Sequence, residues 1–349
     1  MRMRPWLEGF AVSTVATVVV LGSVETLLRS VGFRYAYYPI AMRYVSSIAQ
    51  IGTSMTLPEG AVAIRYTLDH AVLWRPVPQN GVTNSEGFLG PEWSREKRSS
   101  MRRMIALGDS CTAHGDWPYP ALLAARAGKG SNRWEVWNAG VGSWSSFQGR
   151  RLLETRLLGY RPDVVSIYFG WNDHWLSWSV PDRAVAPLLD RQWRILRLVE
   201  RSRLLQALLK AATLARRDTP RFSSRTPFRV SLEDYEANLR AMVALVRSAG
   251  GRAVLVTAPS GLTPDHPVTR ILCEETHNFF NPARIVQVHD AYNERVRRVA
   301  RETETGLVDL AVEFDRRDDK QRLLTDGIHL SREGHALAAD LLAAEAFKL

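Results

Sequence analysis

Three residues that lie far apart in the chain have the types needed for a serine nucleophile. Ser110 ends the tripeptide Gly108-Asp109-Ser110, while Asp326 and His329 stand three residues apart near the other end. A serine hydroxyl is a weak nucleophile at neutral pH, so it requires an imidazole that takes its proton and a carboxylate that orients the imidazole. These residue types predict a hydrolase with catalytic residues Ser110, His329 and Asp326.

The segments around these residues indicate how a fold would hold them. The apolar run Met104 to Leu107 ends at a glycine, which predicts a buried strand followed by a sharp turn. Apolar residues from Tyr119 to Ala125 follow at helical intervals, so we expect Ser110 between a strand and a helix. The residues after His329 also have a helical pattern, which would hold the loop that carries the acid and the base.

Two further polar clusters follow segments that have the pattern of strands. Asn138-Ala139-Gly140-Val141-Gly142-Ser143 follows the apolar stretch Trp134 to Trp137, and Gly170-Trp171-Asn172-Asp173 follows Val164 to Phe169. Because the carboxyl ends of parallel strands face one crevice, these clusters would meet around one site. An asparagine amide and a loop N–H are the donors that an oxyanion hole requires.

The order of the elements predicts an α/β fold. Strand-like runs at Val164 to Phe169 and Ala253 to Ala258 alternate with helical stretches such as LEDYEANLRAMVALVRSAG, whose start lies in a capping box at Ser231 to Asp234. This alternation is typical of a parallel sheet that is covered by helices. A chain of 349 residues with 46% hydrophobic content can form one large domain with appendages.

Over residues 101–349 the sequence resembles the SGNH, or GDSL-type, esterase and lipase superfamily, because four motifs occur in the family's order. The resemblance implies a three-layer α/β/α, flavodoxin-like fold, hydrolysis of an ester without a metal or cofactor, and Ser110 as nucleophile. It also implies an oxyanion hole formed by the Ser110 N–H, the Asn172 amide and a loop N–H. The family's loop glycine falls on Ser143, with Gly142 just before it, so either residue is the loop donor.

The amino terminus predicts a membrane segment. A short tail, residues 1–8, carries Arg2 and Arg4 and precedes the apolar stretch 9–28, which is long enough to cross a bilayer. We interpret this stretch as an uncleaved signal anchor; a cleaved signal peptide and a buried helix are the alternatives. The protein would then span the cell membrane once, with its catalytic domain outside the cytoplasm.

Two regions surround the predicted catalytic motifs. Residues 29–100 form a juxtamembrane region, and Trp74, Phe88 and Trp93 predict that it packs against the main domain. Residues 174–226 contain a basic, leucine-rich amphipathic stretch that forms a helical insertion. It is interpreted as a lid over the active site, as a surface that lies on anionic membrane, or as a packed helix with a solvated basic face.

Charge and cysteine usage narrow the function further. The net charge of +10 is spread over several segments without a nucleic-acid-binding motif, so we expect no nucleic-acid partner. Cys111 and Cys273 show no metal spacing, and Cys111 is expected to pack in the turn beside Ser110 rather than to act as nucleophile. We also expect His114, His174 and His335 to be structural or to lie at the rim of the site.

Together these features predict a membrane-anchored ester hydrolase that acts on an O-acyl group. Its substrate would be an acylated small molecule, lipid or polysaccharide. One alternative is an O-acyltransferase that uses the same acyl-enzyme and acts on an exported polysaccharide. The other is a non-catalytic glycan-binding scaffold on a degenerate hydrolase fold.

Overall fold

The computed structural model of the protein describes residues 5–35, 64, 66–115, 117–127, 133–177, 180–216, 225–275 and 281–348. Its chain divides into two compact units. One unit comprises Met1–Pro39 and Leu188–Pro220, and the other comprises Ile40–Pro187 and Arg221–Leu349. All predicted catalytic and oxyanion-hole residues belong to the second unit.

A five-stranded parallel sheet forms the centre of the second unit, as the sequence predicts, with the strand order β4-β3-β5-β6-β7. Its strands are β3 (Met101–Gly108), β4 (Arg133–Gly140), β5 (Val164–Tyr168), β6 (Arg252–Val256) and β7 (Gly306–Val308). Gly108 pairs in register with both Gly140 and Tyr168. The carboxyl ends of β3, β4 and β5 are therefore level, and the segments that follow them start from the same edge of the sheet.

The strands have the apolar composition that burial on both faces requires. Every residue of β5 is buried, and so are the last six residues of β3. Apart from Arg103 in β3 and Ser166 in β5 these buried residues are apolar, which is typical of a parallel sheet with both faces covered. Strand β4 extends to Gly140, so Asn138, Ala139 and Gly140 lie in the strand itself. The sequence pattern predicts them after the strand, and that prediction is wrong.

Helices flank the sheet and give the predicted three-layer arrangement. In chain order, the helices of both units are α1 (Pro5–Ser30), α2 (Ser110–Ala113), α3 (Tyr119–Ala127), α4 (Ser146–Thr155), α5 (Asp182–Arg201), α6 (Arg203–Arg216), α7 (Leu232–Ser248), α8 (Pro267–Arg270), α9 (Ile285–Glu302), α10 (Leu310–Asp315) and α11 (Arg332–Ala346), and those that flank the sheet belong to the second unit. Helices α3 and α11 pack together, and α7 packs against both α4 and α9. Ser231 caps α7 by accepting a hydrogen bond from the Asp234 N–H at 3.1 Å.

A small antiparallel hairpin, β1 (Tyr66–Asp69) and β2 (Leu73–Pro76), precedes the main sheet. The Trp144 indole N–H donates to the Trp74 carbonyl oxygen at 3.2 Å, and Gln148 Nε2 donates to the Val72 carbonyl oxygen at 3.0 Å. Trp93 is stacked between Phe88 and Trp137 at centroid distances of 4.5 and 5.1 Å. Trp74, Phe88 and Trp93 are buried, as expected for such large aromatic side chains.

The first unit contains α1 and the part of the α5–α6 segment from Leu188 onward. The stretch Gly9–Ser30 of α1 is long and apolar enough to cross a membrane, as an anchor or as a signal sequence. Glu25, near its end, accepts hydrogen bonds from the N–H groups of Arg203 and Leu204 at 3.0 and 2.8 Å. These are first-turn N–H groups of α6, which lack partners within the helix, so Glu25 caps that helix.

Candidate active site

The structure brings Ser110, His329 and Asp326 into one hydrogen-bonded chain. Ser110 Oγ lies 2.9 Å from His329 Nε2, and His329 Nδ1 lies 2.7 Å from Asp326 Oδ2. The second carboxylate oxygen of Asp326 accepts the backbone N–H groups of Ile328 and His329 at 2.9 and 2.7 Å. Both oxygens of Asp326 are therefore engaged, and its carboxylate has one orientation relative to the imidazole.

The electrostatics of this chain suit a general base at neutral pH. Burial alone would raise the pKa of Asp326, but the hydrogen bond and charge of His329 outweigh burial and lower that pKa to about 2. Burial alone would lower the pKa of His329, but the hydrogen bond and charge of Asp326 outweigh it and raise that pKa. An ionised Asp326 accepts the Nδ1 proton, so Nε2 of the neutral imidazole faces Ser110 as an acceptor.

Ser110 is the first residue of the short helix α2, directly after the sharp turn that ends β3. A β-carbon on Gly108 would lie 2.7 Å from the Tyr168 carbonyl oxygen and closer still to Thr112, so only glycine fits at this strand end. Asp109 caps α2, because its Oδ1 accepts the Cys111 N–H at 2.9 Å. Burial raises the pKa of Asp109 to about 6.

Asn172 follows β5 and is buried beside the turn at Asp109. Its Nδ2 donates to Asp109 Oδ2 at 3.2 Å. An amide nitrogen carries two hydrogens, so this bond uses one N–H and fixes the plane that contains the other. A direct hydrogen bond thus joins Asp109, which precedes Ser110, to Asn172, which follows β5.

The loop after β4 is a tight turn with unusual backbone geometry. The Trp144 N–H donates to the Val141 carbonyl oxygen at 3.2 Å, which places Gly142 and Ser143 at the two central positions of a β-turn. Ser143 has a φ of +63°, whereas Gly142 has no positive φ. Of the two residues that the sequence offers as loop donor, Ser143 adopts the left-handed backbone and Gly142 does not.

Sequence reasoning missed the buried polar groups that hold this loop. The Arg229 guanidinium donates to the Ser143 carbonyl oxygen at 2.8 Å and pairs with Asp182 at 2.9 Å. Asp173 Oδ1 accepts both the N–H and the hydroxyl of Ser146, at 2.9 and 2.5 Å. Neither Arg229 nor Asp182 belongs to a recognisable motif, so nothing in the sequence pattern distinguishes them.

The histidines His114, His174, His289 and His335 lie outside the hydrogen-bonded chain in the described part of the protein. His174 and His289 form a buried pair, with His174 Nε2 3.0 Å from His289 Nδ1, and His289 Nε2 donates to the Ala258 carbonyl oxygen at 2.7 Å. His335 Nδ1 accepts the Tyr119 N–H at 3.2 Å. His114 lies beside the loop that follows β4, because a β-carbon on Gly142 would be 2.9 Å from His114 Nε2.

Cys111 follows Ser110 in α2 and is buried. Its thiol donates to the Ile328 carbonyl oxygen at 3.6 Å, and burial raises its pKa well above the usual value. A thiol in this environment stays protonated, which makes it a poor nucleophile. Both cysteines are free of disulfide bonds. Within the described residues, no group of three or more His, Cys, Asp or Glu side chains has the geometry to hold a metal ion.

Known proteins are similar to this chain in sequence and in structure. Residues 106–337 match the sequence profile of the GDSL-like lipase/acylhydrolase family. A search of curated proteins finds no match. Among solved structures, a lipase/acylhydrolase from Enterococcus faecalis is 19% identical with a TM-score of 0.46, covering 70% of this chain and 94% of its own. Axe2, an acetylxylan esterase from Geobacillus stearothermophilus, is 18% identical with a TM-score of 0.43, covering 70% and 93%.

The family profile spans most of the second unit, from the end of β3 into α11, and includes every residue of the hydrogen-bonded chain. The predicted resemblance to the SGNH and GDSL-type enzymes is therefore confirmed. This chain belongs to the GDSL-like lipase/acylhydrolase family of ester-hydrolysing enzymes.

Proposed function

We propose that the protein is a membrane-anchored serine esterase that uses Ser110, His329 and Asp326 to cleave an O-acyl ester. The observation that carries this proposal is the continuous chain from Ser110 Oγ to His329 Nε2 at 2.9 Å and from His329 Nδ1 to Asp326 at 2.7 Å. A hydroxyl, an imidazole and an ionised carboxylate in this order are the groups that acyl transfer through serine requires.

The reaction proceeds in two halves. Ser110 Oγ attacks the ester carbonyl carbon while its proton passes to His329 Nε2, and the imidazolium then protonates the alcohol that leaves. Water attacks the acyl-enzyme with His329 again as base, which releases the acid and restores the Ser110 hydroxyl. Asp326 stays ionised throughout and stabilises the imidazolium.

The negative oxygen of each tetrahedral intermediate needs donors that are already in place. We assign these to the backbone N–H of Ser110, to a backbone N–H at Gly142 or Ser143, and to the Asn172 amide. The assignment is supported by the level ends of β3, β4 and β5 and by the bond that joins Asn172 to the turn before Ser110.

Membrane attachment is the second part of the proposal. It is supported by the apolar stretch Gly9–Ser30, whose exposed side chains include Phe10, Val15 and Val19. With residues 9–28 as a single uncleaved span, residues 29–100 follow as a juxtamembrane region and residues 101–349 as the hydrolase domain outside the cytoplasm. Acylated lipids, polysaccharides or small molecules would be its substrates. A lid function for residues 174–226 stays a prediction.

Hydrolysis of an acetyl and of a long-chain acyl nitrophenyl ester by the full chain in detergent tests the esterase. We expect Ser110→Ala to abolish release of nitrophenol. Ser248→Ala, at the exposed end of α7, is the matched control and should leave the rate unchanged. Activity that survives Ser110→Ala would contradict the proposal. Transfer of the acyl group to a hydroxyl of an added sugar, instead of to water, would favour the acyltransferase.

A further inference from the structure

The loop that follows β4 holds an unfavourable backbone conformation at Ser143. A φ of +63° at the third position of a β-turn suits glycine, because a side chain there crowds the backbone. Something outside the turn must therefore favour this conformation. The candidates are the groups that contact the Ser143 peptide.

The guanidinium of Arg229 makes that contact. Its Nη1 donates to the Ser143 carbonyl oxygen at 2.8 Å, and its Nη2 donates to Gln148 Oε1 at 3.0 Å. Gln148 Oε1 also accepts the Ser145 N–H at 3.1 Å. Arg229 is completely buried, and its guanidinium lies over the Trp74 ring at 5.7 Å. One side chain thus joins the turn to the start of α4.

Asp182 holds the guanidinium in place. It accepts Arg229 Nη2 at 2.9 Å and Nε at 3.3 Å, and both side chains are fully buried. The same carboxylate accepts the Ser145 hydroxyl at 2.6 Å, and the Asp182 N–H donates to the Arg229 carbonyl oxygen at 2.8 Å. A buried ion pair is seldom needed for stability alone, because apolar residues of similar volume often serve as well.

We propose that the Arg229–Asp182 pair is a positioning element for the oxyanion loop. It acts through Ser143 rather than through contact with substrate. By holding the Ser143 carbonyl, Arg229 keeps the turn in the left-handed conformation, which fixes the direction of the N–H groups of Gly142 and Ser143. The inference rests on the proposed function, since it concerns the loop donor of that oxyanion hole.

The test compares kcat and KM for an acetyl ester among full-length variants, with rates expressed per folded protein. Arg229→Gln should lower kcat by about 10- to 100-fold, because displacing an oxyanion donor costs less transition-state stabilisation than removing it. KM should change by less than about threefold, since the loop acts on the transition state. Arg183→Gln is the matched control: Arg183 is exposed, pairs with Asp234 at 3.1 Å, and should leave kcat unchanged.

A double variant separates positioning from general damage to the fold. Adding Ser143→Gly to Arg229→Gln should restore most of the lost kcat, because glycine adopts a positive φ without the support of Arg229. If Arg229→Gln does not fold, Asp182→Asn takes its place with the same expected rescue. A folded Arg229→Gln with kcat within about twofold of wild type, or a double variant that is no faster than the single one, would overturn the inference.

Ser110→Ala in the same panel distinguishes the two proposals. If Ser110→Ala remains active, the esterase proposal fails whatever the loop variants do. If Ser110→Ala is inactive and Arg229→Gln is normal, only the positioning role fails.

Discussion

The hydrogen bond between His329 and Asp326 makes a sharp prediction for Asp326→Asn. The asparagine has nearly the shape of aspartate, and its oxygen still accepts the Ile328 and His329 N–H groups that Asp326 Oδ1 binds at 2.9 and 2.7 Å. Its NH2 group then faces His329 Nδ1, where the carboxylate lies at 2.7 Å. Because NH2 only donates, Nδ1 must become the acceptor and the proton moves to Nε2.

An imidazole with its proton on Nε2 cannot take the proton of Ser110. The same change in other triads lowers kcat about 10,000-fold, which corresponds to about 5 kcal/mol of transition-state stabilisation. We expect a loss of kcat of this size here. KM, and the urea concentration at which half of the protein is unfolded, should stay close to those of wild type. Stopped assays with an acetyl nitrophenyl ester measure it. A kcat within about tenfold of wild type would refute the tautomer argument.

Two further predictions concern the same site. Asn172→Ala should lower kcat by about 100- to 1000-fold, because an oxyanion donor is lost, and a near-normal rate would remove Asn172 from the assignment. The rate should also fall as pH drops through the pKa of His329, since only the neutral imidazole accepts a proton. Asp326 raises that pKa above the ordinary 6.5, so a pH profile of kcat/KM should have its acid midpoint above 6.5. A midpoint below 6.5 would contradict the role of Asp326.

The sheet was predictable because its strands are buried on both faces. Val164–Tyr168 is buried at every position and is apolar except for Ser166, and such a segment has a strong sequence signal. Strand β7, Gly306–Val308, has only three residues and no detectable period, so it was not predicted. Its place in the sheet depends on pairing with β6, which is a tertiary effect.

The proximity of Ser110, His329 and Asp326 was also predictable, because chemistry restricts the residue types of the proposed triad and the motifs are local. The support of the oxyanion loop was not. Arg229 is 86 residues from Ser143 in the chain, and only the fold brings them together. An arginine is usually exposed, so its complete burial beside Asp182 has no signature in the sequence.

The covalent state of Ser110 tests the central claim most directly. The full chain would be treated with a fluorophosphonate, which forms a stable bond to an activated serine oxygen and releases fluoride, and the adduct would be located by peptide mass spectrometry. We predict one adduct, on Ser110, which forms much more slowly in His329→Ala and is absent in Ser110→Ala. Labelling of another residue, or equal labelling without His329, would contradict the proposed catalytic chain.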